Sequence, residues 1–246
     1  MRIGVALPAR DVAPYIETCL TSIAAQTTPC SVYVVDDASQ DGTTTWVTHR
    51  PSLWRRLHVN DTPVGWPIAL NMAAAMAVDD GCDAIMVMNA DDWLRLDCIE
   101  KLARALVSCD AAVPWTQQIG GENVVQASAA HVNLGDFTDH TPLVAFALVR
   151  AEVWKAVGPY DAAMNIPGLN AGYNEWEWWV RFHKAGFLHW CVEEPIVYYR
   201  VHPGQLSHRT TARHTLARQL IFRKHPDLAA LAAEQQRQAT GDDRNG

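Results

Sequence analysis

The first 115 residues alternate short apolar runs, each long enough for one strand, with stretches whose apolar residues recur at helical spacing. That alternation leaves few choices. Strands separated by helices are joined by crossovers, which favours a mostly parallel sheet with helices packed on both faces. The expected fold class is therefore α/β. Strands are expected at Ile3–Leu7, Ser31–Val35, Leu57–Val59, Ala84–Met88 and Ala111–Trp115. Helices are expected over Pro14–Ala25, after Gly42, over Ile68–Val78 and over Asp97–Cys109. The first helix gathers Tyr15, Ile16, Cys19, Leu20 and Ile23 on one face, and Pro14 suits its first turn, where no N–H is needed.

Beyond residue 115 the pattern changes. Over 116–140 it lapses, and Gly120-Gly121 and Gly135 mark a loop or hairpin insertion. Helical spacing returns at Ala151–Val157 and Glu175–Lys184, followed by a strand at Ile196–Val201. Thr211–Gln238 reads as a helical tail with a disordered-looking end, Gly241–Gly246. The expected organisation is one domain in two halves, 1–115 and 116–208, plus the tail 209–246. At 246 residues and 49% hydrophobic, the chain can bury one large core. A net charge of -7 argues against a general nucleic-acid binder. The six Cys form no C-x-x-C pair and read as free packing thiols of a reducing compartment. The segment Met1–Leu7 runs straight into a strand pattern, leaving no room for a signal peptide. No apolar run reaches the roughly 18 residues of a membrane span. A cytoplasmic protein is expected, touching a membrane at most from outside.

Open α/β sheets bind ligands beyond the carboxyl ends of their strands. Three such ends are polar here: Pro8-Ala9-Arg10-Asp11, Asp36-Asp37-Ala38-Ser39-Gln40-Asp41-Gly42-Thr43 and Asn89-Ala90-Asp91-Asp92. Two strands ending in paired carboxylates concentrate negative charge around one crevice, which is costly without a compensating cation or donors. A hard divalent ion shared with a diphosphate resolves that cost. Helix capping or turn closure is the alternative for any single Asp. Downstream, Asn174-Glu175-Trp176-Glu177-Trp178-Trp179-Val180-Arg181 forms an amphipathic helix whose Trp residues are mostly core, with Trp178 and Arg181 on one side and Glu175 on another. Glu175 opens this helix after the Gly- and Asn-rich loop 167–173, where it is placed to act as a general base. A further strand ends in Tyr198-Tyr199-Arg200-Val201-His202-Pro203-Gly204.

Taken in order, these segments resemble the family-2 glycosyltransferases, inverting enzymes of the GT-A fold. Pro8–Tyr15 followed by Ser22–Thr27 is similar to the family's opening strand, helix and S-L-x-x-Q-T segment. Val34–Thr43 resembles V-V-D-D-x-S-x-D-x-T, and Asn89-Ala90-Asp91-Asp92 the D-x-D-D metal motif. Asn174-Glu175-Trp176-Glu177 sits where the family has E-D-W-D, and Tyr199–Gly204 resembles Y-R-x-H-x-G. The resemblance runs from residue 3 to about 208.

What it implies is a GT-A sheet and transfer of a sugar from a nucleotide-sugar, a UDP-sugar first, to an acceptor hydroxyl. Asp92 and His202 would bind Mn²⁺ or Mg²⁺, and Asp91 would position the ribose or the metal. Asp37 would contact the base, and Pro8, Ala9, Arg10 and Asn71 would complete the nucleotide site. Glu175 would be the base. The sequence departs from the family at three positions: Glu175 replaces Asp, Asn89 replaces the first Asp of the metal motif, and Leu70 stands before Asn71 where an Arg often contacts phosphate. Arg10 or another cation is expected to replace that Arg. Core packing is the default expectation for the ten Trp, with Trp93 and Trp176 the best placed to stack on sugar instead. A G-x-G-x-x-G dinucleotide loop and the Gly-rich phosphate loop of a nucleotidyltransferase are both missing after the first strand. The remaining rival is a non-catalytic nucleotide-sugar-binding module of the same fold. The acceptor is left open among a saccharide, a lipid-linked glycan, a protein and a modified nucleic acid.

Overall fold

The computed structural model describes residues 1–164, 173–203 and 211–242. The expected loop residues 167–172, Gly204 and the last four residues lie outside them. Among the described residues, one sheet holds β1 (Ile3–Ala9), β2 (Ser31–Asp36), β3 (Arg56–Val59), β4 (Ala84–Val87), β5 (Trp93–Leu94), β6 (Ala111–Ile119), β7 (Val125–Gln126), β8 (Ala147–Arg150) and β9 (His189–Arg200). Their order is β3-β2-β1-β4-β8-β6-β9-β5, with β7 paired to β6. Strands β3, β2, β1, β4, β6 and β9 run one way, while β8 and β5 run against their neighbours.

The strands alternate their side chains between two cores. Val5, Leu7, Val32, Val34 and Met86 face α1 (Ile16–Ala24) and α4 (Cys98–Ala105). Ala6, Tyr33, Val35, Ile85 and Val87 face α3 (Trp66–Asp79), α5 (Ala151–Val157) and α6 (Asn174–Lys184). That period of two lets one sheet serve two helical layers. Helix α3 buries Ala69, Leu70, Ala73, Ala74 and Ala77, a narrow small-residue stripe that brings it close to β1. Gly4 permits the approach, since a Cβ there would stand 2.7 Å from Ala77 Cβ.

The expected strands and helices of the first 115 residues are present, with ends shifted by a few residues. The boundary expected at 115/116 falls inside β6, which runs on to Ile119 before turning through Gly120 into β7. Strand β8 was not expected: its four residues run directly into α5 with no Gly or Pro to mark a boundary. Strand β9 starts at His189 rather than Ile196; Glu193, Glu194 and Pro195 interrupt the apolar pattern and mask its first half, and its register with β6 shifts at Trp115. The tail divides at His225 into α7 (Thr211–Lys224) and α8 (Pro226–Asp242), Pro226 opening the second helix. Its backbone remains helical through Gly241 and Asp242, where disorder was expected. All six Cys are free thiols. No helix among the described residues is long and apolar enough to cross a membrane.

Candidate active site

The parallel strands deliver their carboxyl ends to one edge of the sheet. After β1 and β2 the loops are laced together: Asp11 N donates to Ser39 Oγ (3.0 Å), Gln40 N to Asp11 Oδ1 (2.7 Å) and Val12 N to Thr43 Oγ1 (2.9 Å). Asp11 and Ala38 both take positive φ, +50° and +59°, an uncommon conformation that this lacing holds in place. Pro8 and Ala9 are buried in β1, and Ala9 O accepts Asp37 N at 2.8 Å. Arg10 is exposed and pairs with Asp11 at 3.7 Å.

The two carboxylates after β2 divide their work. Asp36 closes the turn, accepting Ser39 N at 3.0 Å and the Thr44 hydroxyl. Asp37, 2% exposed, accepts Asn60 Nδ2 (2.8 Å) and Val64 N (2.7 Å) on Oδ1, and Gly65 N (2.8 Å) on Oδ2. It therefore fixes the loop that opens α3.

The next residue, Trp66, joins the three motifs. Its Nε1 donates to Asn89 Oδ1 at 3.1 Å, and its ring stacks on Tyr160 at 5.6 Å. Asn89 Nδ2 in turn donates to Asp92 Oδ2 at 3.0 Å. Asp92, 1% exposed, also accepts Arg200 N on Oδ1 at 2.7 Å. Asp91 Oδ2 lies 3.0 Å from His202 Nε2, and Arg200 Nε donates to the Asp91 carbonyl. The Arg200 guanidinium lies over the rings of Tyr15 and Trp93, at 4.8 and 4.6 Å, and Tyr15 also packs on His202 at 4.7 Å. Burial pushes the Asp92 carboxyl well above the usual range, and the Asp91 charge pushes it further; the donors from Arg200 and Asn89 only partly offset them.

Glu175 is buried at the start of α6, and its charge reaches Tyr160, whose phenol is pushed up first by burial and then by that charge. Asn71 has a positioning contact: Nδ2 donates to Tyr160 O (2.8 Å) and Oδ1 accepts Tyr160 N (2.9 Å), so the amide clamps Tyr160 rather than projecting freely into the crevice. Trp93 is half-buried and stacks on Tyr198 at 5.2 Å. Trp176 corrects the expectation of sugar stacking. It is 1% exposed, a core residue whose Nε1 donates to Phe137 O at 2.9 Å. Trp178 and Arg181 do share a side, both reaching Gly158 O. Glu177 faces elsewhere and is fully buried among Arg181, His225 and Lys224. Sequence reasoning overlooked Trp66, Tyr160 and the loop 60–65. The Gly65-Trp66-Pro67 punctuation before α3 was the available signal.

Among the described residues no three His, Cys, Asp or Glu side chains form a ready-made cage for a metal. The donor chemistry nevertheless suits a hard cation, with two adjacent carboxylates, one buried at raised proton affinity, beside an imidazole. Ions of this class commonly take one or two carboxylates and complete their shell from substrate phosphates and water.

A family model described as Glycosyl transferase family 2 matches residues 5–182. The chain belongs to glycosyl transferase family 2. The match spans β1 through α6, so the family region holds Asp37, Asp92 and Glu175, while Arg200 and His202 lie beyond it. No sequence match was found among curated proteins. Solved structures resemble this family member in fold. S. aureus TarS in complex with UDP superposes with a TM-score of 0.64 at 18% identity, over 82% of this chain and 61% of that one. The mannosyltransferase PcManGT from Pyrobaculum calidifontis, with GDP-Man and Mn²⁺, gives 0.61 at 18% identity, over 98% and 75%. GalNAc-T7 with UDP, GalNAc and Mn²⁺ gives 0.68 at 12% identity, over 94% and 51%. The likeness establishes a GT-A type fold, and the chain spans under two thirds of the TarS chain.

Proposed function

We propose that this family member is a metal-dependent, inverting glycosyltransferase that moves a sugar from a nucleoside-diphosphate sugar to an acceptor hydroxyl. The observation that carries the reading is the position of Trp66. Through single contacts it ties the loop held by Asp37 to the metal motif at Asn89 and to Tyr160, which lies within reach of the Glu175 charge. On this reading the donor-binding, metal-binding and base residues act at one site. Asp91, Asp92 and His202 would hold Mn²⁺ or Mg²⁺. When bound, such an ion neutralises charge developing on the departing diphosphate.

The remaining work falls to side chains. Asp37 acts by holding loop 60–65 at the nucleotide side, with Pro8, Ala9 and Arg10 forming the facing wall. Arg200, bonded to the Asp91 carbonyl and lying over the Tyr15 and Trp93 rings, is the cation that stands in for the Arg replaced by Leu70. Glu175 takes the proton from the acceptor hydroxyl as it attacks the anomeric carbon from the face opposite the leaving group, which inverts the configuration. Uridine donors are the first to test, since TarS and GalNAc-T7 were both solved with UDP.

The test is a panel of UDP- and GDP-sugars incubated with Mn²⁺, Mg²⁺ or chelator, following release of nucleoside diphosphate and the anomer formed. Metal-stimulated turnover with inverted product is expected. Donor binding without turnover under any metal would leave a nucleotide-sugar-binding module, and retained configuration would remove the single displacement.

A further inference from the structure

The C-terminal hairpin of α7 and α8 approaches the catalytic helix at the two residues that follow Glu175. Trp176 is tied through its Nε1 to Phe137 O, at the end of the short turn Leu134–Phe137. Gln235 of α8 grips that turn from outside: its Nε2 donates to Gly135 O at 3.2 Å, and its Oε1 accepts the Thr138 hydroxyl at 2.8 Å. Arg218 of α7 donates to Thr138 O at 2.8 Å, and the His214 ring stacks on the Trp176 indole at 5.7 Å and 13°. Glu177, on the other side, lies 3.2 Å from His225 Nε2 at the α7–α8 junction.

Core packing does not account for the far end of α8. Leu228 and Ala232 are buried, but every residue from Ala233 to Thr240 is exposed, so this part of the helix hides no apolar surface. Among the described residues, its ties to the rest of the protein are those of Gln235, and both go to the turn that holds Trp176.

We infer that Gln235 is a positioning residue: through the Gly135–Thr138 turn and Trp176 it fixes the first turn of α6 and with it the Glu175 carboxylate. The inference rests on the reading of Glu175 as the base. A carboxylate that must meet an acceptor hydroxyl tolerates little displacement, and an error of about 1 Å can cost on the order of 10²-fold in rate.

Because Gln235 is exposed, its replacement leaves both cores intact. Gln235→Ala and Gln235→Glu in the full chain are compared with wild type by hydrogen exchange of the α6 amides 177–180, by UDP affinity and by nucleotide-sugar turnover. Gln235→Ala should speed exchange at those amides severalfold and lower kcat about tenfold, with donor KM and UDP affinity unchanged. Gln235→Glu keeps the acceptor for Thr138 and should fall between. Unchanged exchange overturns the inference, as does faster exchange with unchanged kcat. A wild-type protein that turns over no nucleotide sugar defeats the glycosyltransferase reading instead, and the exchange comparison then judges the brace on its own.

Discussion

At the scale of single residues, the site separates groups that hold structure from groups left for chemistry. Asp37 accepts three hydrogen bonds from loop 60–65, two of them from main-chain N–H groups. Removing a charged acceptor of this kind costs about 1.5–3 kcal/mol for a single bond. Asp37→Ala frees loop 60–65, so UDP binding must bear the cost of ordering it, and affinity should fall by roughly 10–100-fold, measured by calorimetry, while the rate at saturating donor changes little. Glu177 tests the opposite assignment. It is fully buried with Arg181 donating to both carboxylate oxygens, so Glu177→Gln breaks a buried pair worth about 3 kcal/mol or more. The expected result is a much lower midpoint of urea unfolding, with turnover per folded molecule retained. Two residues apart on a helix, the carboxylates of Glu175 and Glu177 point to different sides, so Glu177 can lock the tail while the Glu175 charge acts on Tyr160.

At the scale of elements, α6 and β9 meet through a pair of imidazoles. The rings of His183 and His189 stand 5.2 Å apart edge to face, and His183 Nε2 is buried with no hydrogen-bond partner among the described residues. Burial, and then the neighbouring His189, push the His183 pKa down from 6.5 to about 4, Asp136 opposing weakly. Burial likewise lowers His189, against its bond to Ala129 O. In the unfolded chain these rings take protons near 6.5, while in the fold His183 resists until about 4. Stability is thus present above pH 6.5 and is lost progressively as pH falls toward 4. Thermal unfolding followed from pH 7 to 4.5 should show a falling midpoint, and His183→Leu should flatten that fall; an identical slope in the variant would place the acid sensitivity elsewhere. Much at this scale was legible in the sequence. The apolar runs of β1, β2, β4 and β6 are long and bounded by turn residues, and their polar ends announce Asp37, Asp91 and Asp92. Strands β5 and β8 were not legible, having two and four residues without punctuation. Nor were the roles of Trp66 and Gln235, whose partners lie 23 and about 100 residues away in the chain, where no periodicity reports a contact.

At the scale of the whole molecule, the two halves share one sheet instead of meeting across a cleft. Strands β8 and β6 lie between β4, which leads to Asn89–Asp92, and β9, which leads to Arg200 and His202. That arrangement lets Asp92 accept a main-chain hydrogen bond from a residue 108 positions later, so the donor side and the closing motif are built as one rigid frame. The helical tail packs on α6 and on the turn that holds Trp176, through Gln235, Arg218 and His214. What the frame is for can be tested with one comparison: release of nucleoside diphosphate from a nucleotide sugar, with Mn²⁺ or with chelator, by wild type, Asp92→Ala and Glu175→Gln, with donor affinity measured on the same preparations. The account predicts metal-stimulated turnover by wild type, loss of the metal stimulation in Asp92→Ala, and in Glu175→Gln unchanged donor affinity with turnover reduced about 10²–10⁴-fold. Wild-type rates in both variants would contradict it.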